Sequence, residues 1–353
     1  MDHIWLADLD ETINHLVDLN KLAGKRILIT GCTGLICSAV IDIFLRWNET
    51  NDNKIEILAA GRDTQKIMQR FAPFSSGACF NPVVYDSVKA DNKLDFKCDY
   101  IIHGASNASP NRIVNEPVET ILSNVFGIKY LLDFAREQAV KRVLFISSSE
   151  VYGKKDGNLP FRSDEYGYID LLNPRNSYSA GKRAAETLCA SYYAEYGVDS
   201  VIVRPGHIYG PTATESDNRV SSSWAYAAAR GENIVMKSDG SQIRSYCYCL
   251  DCASAIITVL LKGECIKAYN ISNKDSVISI KEMAEIISKS AGVDLKMELP
   301  TEAERKSFNP MSNSSLDSTD LCNLGWKGLF DAERGFSHTV AILKNNEDKC
   351  ENV

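Results

Sequence analysis

Long apolar runs and a basic charge excess are both missing from this sequence of 353 residues. No segment approaches the roughly 18 consecutive apolar residues that a membrane-spanning helix needs. The first residues, MDHIWLADLDETI, lack the basic segment of a signal peptide. The net charge of −7 argues against nucleic acid or an anionic membrane surface as a partner. We therefore expect a protein of the cytoplasm that binds neither nucleic acid nor membrane.

A cysteine framework is missing as well. The eleven cysteines are odd in number and scattered, with the closest spacing at Cys247, Cys249 and Cys252. This pattern is more typical of reduced cytosolic thiols than of disulfides or a zinc site, so we expect no bound metal. Internal repeats and low-complexity linkers do not occur. A chain of this length is expected to fold as one large or two smaller domains with a substantial core.

A strand, a glycine turn and a helix follow one another early in the chain. In KRILITGCTGLICSAVIDIFLRW (25–47), residues 27–29 predict a buried strand, Gly31 and Gly34 a turn, and residues 38–47 a helix. A second strand, IEILAAG (55–61), follows at the distance expected of a βαβ unit. This order favours a dinucleotide-binding element over a plain α/β turn, because glycine lets the backbone approach a pyrophosphate at the helix N-terminus. Cys37 stands where such turns usually have a third glycine.

The end of the second strand leaves the choice of cofactor open. An acidic residue there suits the ribose 2′-hydroxyl of NAD, whereas an arginine accommodates the 2′-phosphate of NADP. The chain has Arg62 followed by Asp63. Arg62 favours NADP, but the two residues are equally well explained as a solvated pair that opens a helix. We therefore predict NAD and keep NADP open because of Arg62.

Strands continue to alternate with helices as far as residue 211. We predict strands at 83–87, 99–106, 143–147 and 199–211, with helices at 118–137 and from Tyr178 onward. Asp86 is expected to meet the adenine, and the tip of the fourth strand to bring Gly104 and Ala105 near the cofactor. Such alternation predicts an α/β fold, a doubly wound Rossmann-type parallel sheet with ligands at the carboxyl ends of its strands.

The sequence also suggests how the chain divides into units. A helical arm is predicted for residues 1–24. The dinucleotide-binding domain is assigned to 25–205 and 245–272, and a smaller, discontinuous C-terminal substrate-binding lobe to 206–244 and 273–342. The polar residues 343–353 are expected to form a flexible tail.

Tyr178 and Lys182 lie four residues apart, which places them on one face of a helix. An ammonium beside a phenol favours the phenolate, so we expect Lys182 to lower the pKa of Tyr178 and allow proton exchange near neutral pH. Ser148 and Ser149 are placed to hydrogen-bond the same oxygen, and Glu150 adds a carboxylate. An isolated YxxxK is more often a surface tyrosine on an amphipathic helix, so the weight of this prediction comes from the preceding motifs.

The order of these motifs resembles the extended short-chain dehydrogenase/reductases that modify nucleotide sugars. The resemblance covers roughly residues 25–342. Four segments are most similar to UDP-glucuronate decarboxylases: HGASNASPNRIVNEPVETILSNVFGIKYLL, SSSEVYG, NPRNSYSAGKRAAETL and GSQIRSY. Those enzymes have Thr-Ser-Glu where this chain has Ser148, Ser149 and Glu150. His207 and Ser223 stand where relatives usually have asparagines that contact the substrate.

The resemblance implies a catalytic set. Tyr178 would exchange the proton of the hydroxyl at sugar carbon 4 while hydride moves to the nicotinamide, and Lys182 would hold the ribose. Ser148 and Ser149 would position the same hydroxyl, and Glu150 would orient the ring or move a proton. The 4-keto group formed by oxidation would then permit decarboxylation, epimerisation or elimination.

The resemblance also implies two binding sets. The cofactor would be held by Gly31, Thr33, Gly34, Leu35, Ile36, Arg62, Asp86, Ser87, Gly104, Ala105, Ser106, Asn124, Ser147, Tyr178, Lys182, Pro205 and His207. The substrate would be held by Ser109, Ser149, Glu150, Tyr178, His207, Arg219, Val220, Ser223 and Arg244. Arg244 would lie near a sugar carboxylate or the diphosphate; the competing interpretation is a solvated surface arginine.

Several functions compete at this stage. UDP-glucuronate decarboxylation with an internally recycled cofactor comes first, followed by 4-epimerisation or 4,6-dehydration of a nucleotide sugar. An NADPH-consuming reductase of 4-keto sugar nucleotides is the next hypothesis, supported by Arg62. A non-catalytic dinucleotide sensor is disfavoured because it needs no acid/base group. We expect a UDP-sugar as substrate and a homodimer built on the helices at 118–137 and 178–196.

Overall fold

The computed structural model describes residues 1–74, 79–89, 92–155, 157–301 and 311–351, without the side chains of 348–351. Its helices are α1 His3–His15, α2 Leu35–Thr50, α3 Thr64–Phe71, α4 Pro110–Asn115, α5 Pro117–Gln138, α6 Ser177–Tyr196, α7 Val220–Ala229, α8 Cys249–Lys262, α9 Ile280–Ala291, α10 Thr319–Asn323 and α11 Ala332–Glu351. None of the described helices is both long enough and apolar enough to cross a lipid bilayer.

Strands alternate with these helices along the chain. They are β1 Arg26–Thr30, β2 Glu56–Gly61, β3 Phe80–Val84, β4 Tyr100–His103, β5 Arg142–Ile146, β6 Ser200–Pro205, β7 His207–Tyr209, β8 Ile234–Met236, β9 Ile243–Tyr248, β10 Ala268–Ile271, β11 Val277–Ser279 and β12 Leu295–Met297. Seven of them form one parallel sheet in the order β10-β6-β5-β4-β1-β2-β3. The predicted Rossmann-type fold is confirmed.

Both faces of this sheet are covered by helices, which is why its strands are apolar without alternation. In β1, Ile27 and Ile29 pack with α2 and α8 in one core. Leu28 points to the opposite face and packs with α5 and α6 in a second core. The sheet is therefore doubly wound, and its carboxyl edge lies between the two helical layers.

Segments on either side of β10 form two smaller sheets outside the seven-stranded one. Strand β7 pairs with β9 in parallel, and β11 pairs with β9 antiparallel. The short strands β8 and β12 form a separate pair, and α7, α9 and α11 pack together. A capping box starts α9, in which the Ser279 hydroxyl accepts from the Glu282 backbone N–H and the Glu282 carboxylate accepts from the Ser279 N–H.

Several boundaries differ from the sequence prediction. The strand predicted at 199–211 is split into β6 and β7 at Gly206, where a Cβ would lie 2.7 Å from the Ser245 carbonyl oxygen. The third strand ends at Val84, before Asp86. The last helix, α11, continues through most of the predicted tail, and residues 352–353 lie outside the described residues. The division into domains stays a prediction.

The N-terminal arm packs on the body of the molecule. Asp2 caps α1, its carboxylate accepting from the Ile4 N–H at 2.8 Å. Leu9 is fully buried, and Asp8 accepts a hydrogen bond from the Tyr248 hydroxyl at 3.0 Å. The arm therefore contributes to the core between α2, α8 and α11.

Candidate active site

The glycine turn after β1 brings three backbone segments into close contact. Gly31 has φ +70°, and a Cβ there would lie 2.8 Å from the Gly104 carbonyl carbon and the Ala105 nitrogen at the end of β4. Gly34 is exposed and precedes α2 without a side-chain cap. The first backbone N–H groups of α2 therefore face an open turn, an arrangement that suits a pyrophosphate. Thr33 lies in this turn, and Leu35 and Ile36 begin the helix.

Cys37 replaces the usual third glycine without separating the helix from the sheet. The thiol occupies space that Gly104 leaves free, because a Cβ on Gly104 would lie only 2.4 Å from Cys37 Sγ. Burial raises the pKa of the Cys37 thiol to about 12, so it packs as a neutral group. A glycine on β4 thus supplies the close approach that a third glycine on α2 would otherwise provide.

Two of the residues expected at the adenosine end follow β2. Arg62 is exposed and has no ion pair within the described ranges. The Asp63 carboxylate instead caps α3, accepting from the backbone N–H groups of Gln65 at 3.0 Å and Lys66 at 3.1 Å. Of the two, Arg62 is the residue left free to meet a ribose substituent.

Asp86 and Ser87 follow the neighbouring strand β3 and are both half-buried. The Asp86 carboxylate accepts from the Val88 N–H at 3.2 Å, and its own N–H donates to the Asn92 side chain at 2.8 Å. These local bonds shape the turn at the carboxyl end of β3. Asp86 is thus placed at the edge of the sheet where the adenine was expected.

Hydrogen bonds order the carboxyl end of β4. The Thr30 hydroxyl accepts from the Ala105 N–H at 3.3 Å and lies 2.7 Å from His103 Nδ1. Burial lowers the pKa of His103 to about 3, so its ring is neutral. Ser106 donates to the Asn124 side-chain oxygen at 2.9 Å, which brings these two predicted cofactor residues together.

The YxxxK pair lies at the carboxyl end of β5. Tyr178 is in the first turn of α6 and Lys182 in the next, and both side chains are buried. The Lys182 ammonium donates to the Ile146 carbonyl oxygen at 2.7 Å. The Ser148 side chain lies close enough to the Tyr178 hydroxyl to lower its pKa. The structure therefore brings Tyr178, Lys182 and Ser148 together as predicted.

The expected effect of Lys182 on Tyr178 is contradicted. Burial, followed by the charge of Glu150, raises the pKa of Tyr178 to about 12. Burial also lowers the pKa of Lys182 to about 7, so its charge is weakened near neutral pH. The ammonium lies 5.7 Å from the Tyr178 ring centroid and is directed at a carbonyl instead. Tyr178 is consequently a phenol at neutral pH.

Glu150 is held by a residue that the sequence analysis did not single out. Arg175 Nη1 and Nη2 each donate to a different Glu150 carboxylate oxygen at 3.2 Å, and both side chains are about 40% exposed. Ser179 donates to the same carboxylate at 3.2 Å. Arg175 stands three residues before Tyr178 in NPRNSY. Its short distance from the predicted catalytic tyrosine could have identified it from the sequence. Ser149 is half-buried and begins a 3₁₀ turn at 149–152.

Arg244 and His207 form the opposite side of the site. Arg244 is only 3% exposed and has no carboxylate partner in the described part of the chain; its Nη1 donates to the Ile243 carbonyl oxygen at 2.8 Å. The interpretation of Arg244 as a solvated surface arginine is therefore wrong. Among the described residues, His207 Nδ1 is buried without a hydrogen-bond partner. Burial, followed by the charges of Arg244 and Arg219, lowers the pKa of His207 to about 4.

The remaining predicted substrate residues are more open. Arg219 precedes α7 and is paired with Asp217. Its charge lowers the pKa of Tyr178, although burial outweighs that effect. Arg219 therefore lies close enough to link this side of the site with the catalytic side. The others are Val220 and Ser223, exposed on α7, and Ser109, half-buried at the start of α4. Pro205, expected to contact the cofactor, is the buried last residue of β6.

Ser147 is turned toward a buried ion pair. Its hydroxyl donates to Glu186 at 2.6 Å, and Arg204 donates to both oxygens of that carboxylate. Sequence analysis missed Glu186 and Arg204, although Glu186 lies four residues after Lys182 and hence on the same face of α6. Among the described residues, Ser147, Glu186 and Arg204 thus form a buried, hydrogen-bonded ion-pair network next to the carboxyl end of β5.

The chain is similar to several known proteins. UDP-glucuronic acid decarboxylase 5 of Arabidopsis thaliana is 30% identical over 333 residues, covering 92% of both chains. A trifunctional UDP-glucose 4,6-dehydratase/3,5-epimerase/reductase of the same organism is also 30% identical, over 92% of this chain but only 48% of its own length. This chain thus spans about half the length of that relative.

The fold is shared with solved structures. UDP-glucose 4-epimerase of Thermotoga maritima, solved with UDP-glucose, superposes with a TM-score of 0.76 over 91% of this chain and 99% of its own, at 20% identity. A family model, described as the NAD dependent epimerase/dehydratase family, matches residues 27–272. The chain belongs to the NAD dependent epimerase/dehydratase family, as its motifs predicted.

Proposed function

We propose that this protein modifies a nucleotide sugar through transient oxidation at sugar carbon 4, with UDP-glucuronate decarboxylation as the preferred outcome. The observation that carries the proposal is the buried pair of Tyr178 and Lys182, with the half-buried Ser148 next to it, at the same sheet edge as the glycine turn. Arg244 is buried and has no carboxylate partner among the described residues. Its charge lowers the pKa of His207, which places the two side chains near each other. Decarboxylases and dehydratases of UDP-sugars among its relatives support this choice.

The residues present fit a dinucleotide. The space above Gly31 and Gly34 and the free N–H groups of α2 suit its pyrophosphate, because side chains there would collide with β4 or cover the turn. Ser106, Asn124 and Lys182 would line the nicotinamide side. When bound, NAD supplies the hydride acceptor. NAD is the proposed cofactor, and Arg62 is the feature that favours NADP.

Tyr178 would carry the proton of the substrate hydroxyl. Tyr178 would act as the phenolate in the oxidation half, taking the C4 hydroxyl proton to become the phenol, and the phenol would return that proton in the reduction half. With a pKa of about 12, Tyr178 needs nearby positive charge before it can accept that proton. Arg175 and Arg219 already lower its pKa and would assist that transfer.

Loss of carbon dioxide follows from the position of the keto group. A carboxylate on carbon 5 lies β to a ketone at carbon 4, so the C5–carboxylate bond can break with its electron pair moving to the C4 oxygen as an enolate. A proton added at C5 restores the ketone, which is then reduced. Arg244 would hold the carboxylate, with help from Ser149 and Glu150. Its guanidinium suits a diphosphate equally well, and this second role defines the epimerase and dehydratase alternatives.

One assay separates these outcomes. The purified protein is incubated with UDP-, dTDP-, GDP- and CDP-sugars, and carbon dioxide release, product mass and NADPH consumption are measured. The proposal expects carbon dioxide from UDP-glucuronate without net NADPH use. Stoichiometric NADPH consumption on a 4-keto sugar nucleotide would support the reductase that Arg62 favours. No turnover on any sugar would support the sensor hypothesis.

We also propose that the protein forms a homodimer through α5 and α6. Both helices expose large apolar side chains: Val118 and Phe126 on α5, and Tyr193 and Tyr196 on α6. Burying such groups favours association, and two-fold dimers are the commonest assemblies. The cytoplasmic location expected from the scattered thiols remains a prediction.

A further inference from the structure

Glu186 places a buried carboxylate behind the catalytic residues. It lies one helical turn after Lys182 on α6 and is 8% exposed. Oε1 accepts from the Ser147 hydroxyl at 2.6 Å and from Arg204 Nε at 2.9 Å, while Oε2 accepts from Arg204 Nη2 at 2.7 Å. A carboxylate so placed needs this pairing, because an unpaired buried charge is strongly destabilising.

Arg204 is itself fixed on all sides. Its Nη1 donates to the Tyr152 hydroxyl at 3.0 Å and the Ser163 carbonyl oxygen at 2.8 Å, and its Nη2 donates to the Tyr166 hydroxyl at 2.7 Å. The guanidinium is 1% exposed. These bonds hold Arg204 in place, and through it they hold the Glu186 carboxylate in one orientation toward Ser147.

Two hydrogen bonds fasten α6 to the end of β5. The Lys182 ammonium donates to the Ile146 carbonyl oxygen at 2.7 Å, and the next residue, Ser147, donates to Glu186. Tyr178 lies on α6 one turn before Lys182, and Ser148 lies two residues after the end of β5. Their separation is therefore set by the Lys182 and Glu186 contacts.

Glu186 is also the carboxylate that raises the pKa of Lys182 against the effect of burial. The other groups facing this ammonium are weakly charged or neutral. From α2 comes the Cys37 thiol, and from β4 the neutral His103 ring. From β5 comes the Phe145 ring, 4.7 Å from the ammonium, and α6 itself adds the Tyr178 ring at 5.7 Å.

We propose that Glu186 is a positioning residue for the reaction: it holds Ser147, so fixes α6 against the end of β5, and it places a negative charge one helical turn from Lys182. Removing that charge while keeping the shape, as in Glu186→Gln, disfavours the ammonium and lowers the pKa of Lys182. Because an ammonium is present only below its pKa, turnover then falls at lower pH than in the natural protein. We expect a shift of about one unit.

The test begins with a measurement that needs no substrate. The protein is labelled with ¹⁵N-lysine and titrated by NMR, with the Lys182 signal assigned from its loss in Lys182→Met. Glu186→Gln is expected to lower the pH at the midpoint of the Lys182 titration, relative to the natural protein. Ser147→Ala removes one hydrogen bond and keeps both charges, so it is expected to reduce kcat while leaving that midpoint in place.

Asp199→Asn is the matched control. Asp199 pairs with Arg142 at the opposite end of β5, with an Arg142 Nη2 to Asp199 Oδ2 distance of 2.9 Å, so this variant removes an ion pair of the same sheet far from the site. It is expected to alter stability without moving the Lys182 midpoint. If Glu186→Gln fails to fold, Glu186→Gln/Arg204→Gln removes both charges and is read by the same criteria.

An unchanged Lys182 midpoint in a folded Glu186 variant would overturn the proposal. A Ser147→Ala variant with natural kcat would also overturn it. An unchanged pH profile of turnover in Glu186→Gln would do the same. The turnover readouts rest on the proposed function, whereas the NMR titration does not. A shifted midpoint in a protein without nucleotide-sugar turnover would therefore refute the proposed function and leave the charge role of Glu186 intact.

Discussion

Tyr178 shows how one side chain acquires its chemistry from its surroundings. Burial beside Glu150 makes its phenol a weak acid with a pKa of about 12, although Ser148 and the charges of Arg219 and Arg175 oppose that rise. We therefore expect the Tyr178 hydroxyl to serve proton transfer more than substrate affinity.

We predict that Tyr178→Phe reduces kcat by about 10²–10⁴, the usual contribution of general acid–base catalysis, while nucleotide-sugar affinity changes only several-fold. Turnover is measured with the sugar identified in the panel assay, and affinity by calorimetry. Tyr193→Phe, on the exposed face of the same helix, is the control and should behave as the natural protein. Near-natural kcat in Tyr178→Phe would rule out this role.

Arg244 offers a second test at the scale of one residue. Arg244→Lys keeps the charge but loses the planar fork that binds an oxyanion with two hydrogen bonds. If Arg244 holds the sugar carboxylate, UDP-glucuronate turnover should fall while affinity for UDP stays natural. If it holds the diphosphate, UDP affinity should fall together with turnover.

Calorimetry with UDP and a carbon dioxide assay distinguish these two results. Arg230→Lys provides the control, since Arg230 is paired with Glu215 and Glu232 at the surface. Unchanged UDP-glucuronate turnover in Arg244→Lys would exclude both roles. The absence of carbon dioxide from the natural protein would exclude the decarboxylase itself.

At the scale of elements, the contact between α2 and β4 depends on one complementary pair. Cys37 Sγ fills the space that Gly104 leaves open, so the helix approaches the strand although the turn lacks a third glycine. The two positions are complementary, because the Cys37 thiol occupies the space that a side chain on residue 104 would need.

We therefore predict that Gly104→Ala destabilises the protein by about 1–3 kcal/mol through overpacking and weakens NAD binding. When Cys37 is first replaced by alanine, Gly104→Ala should lower the free energy of unfolding clearly less. We expect an interaction energy between the two substitutions of about 0.5–3 kcal/mol. Urea unfolding of the four proteins measures this coupling, and calorimetry measures NAD affinity. Strictly additive costs would show that the two residues do not share this space.

At the scale of the whole molecule, the largest open question of assembly concerns the outer faces of α5 and α6. Phe126 is 43% exposed in the middle of α5, and Tyr193 is 48% exposed on α6. Both helices are already packed against each other and against the sheet. Their remaining apolar surface is thus available for a second copy.

We predict a dimeric mass in light scattering at micromolar concentration and a monomeric mass for Phe126→Glu, since a buried unpaired carboxylate disfavours association. Leu172→Glu is the control, because Leu172 is 94% exposed on a loop outside these helices. It should leave the dimer intact. A natural protein that is monomeric under these conditions would refute the interface.

The sequence by itself determined the features that depend on local periodicity. Apolar runs and glycines predict β1, the turn at Gly31 and α2, because strand, turn and helix each impose a short-range pattern. A spacing of four predicts that Tyr178 and Lys182 share a helix face. The alternation of strands and helices then restricts the fold to a doubly wound parallel sheet.

The pKa shifts and ion pairs between groups far apart in the sequence depend on the tertiary structure. Burial raised the pKa of Tyr178 and directed Lys182 to a carbonyl, so the sign of the predicted shift was wrong. The Glu186–Arg204 and Glu150–Arg175 pairs join residues 18 and 25 positions apart. Desolvation and ion pairing depend on which surfaces meet in space, and no repeat in the sequence encodes that information.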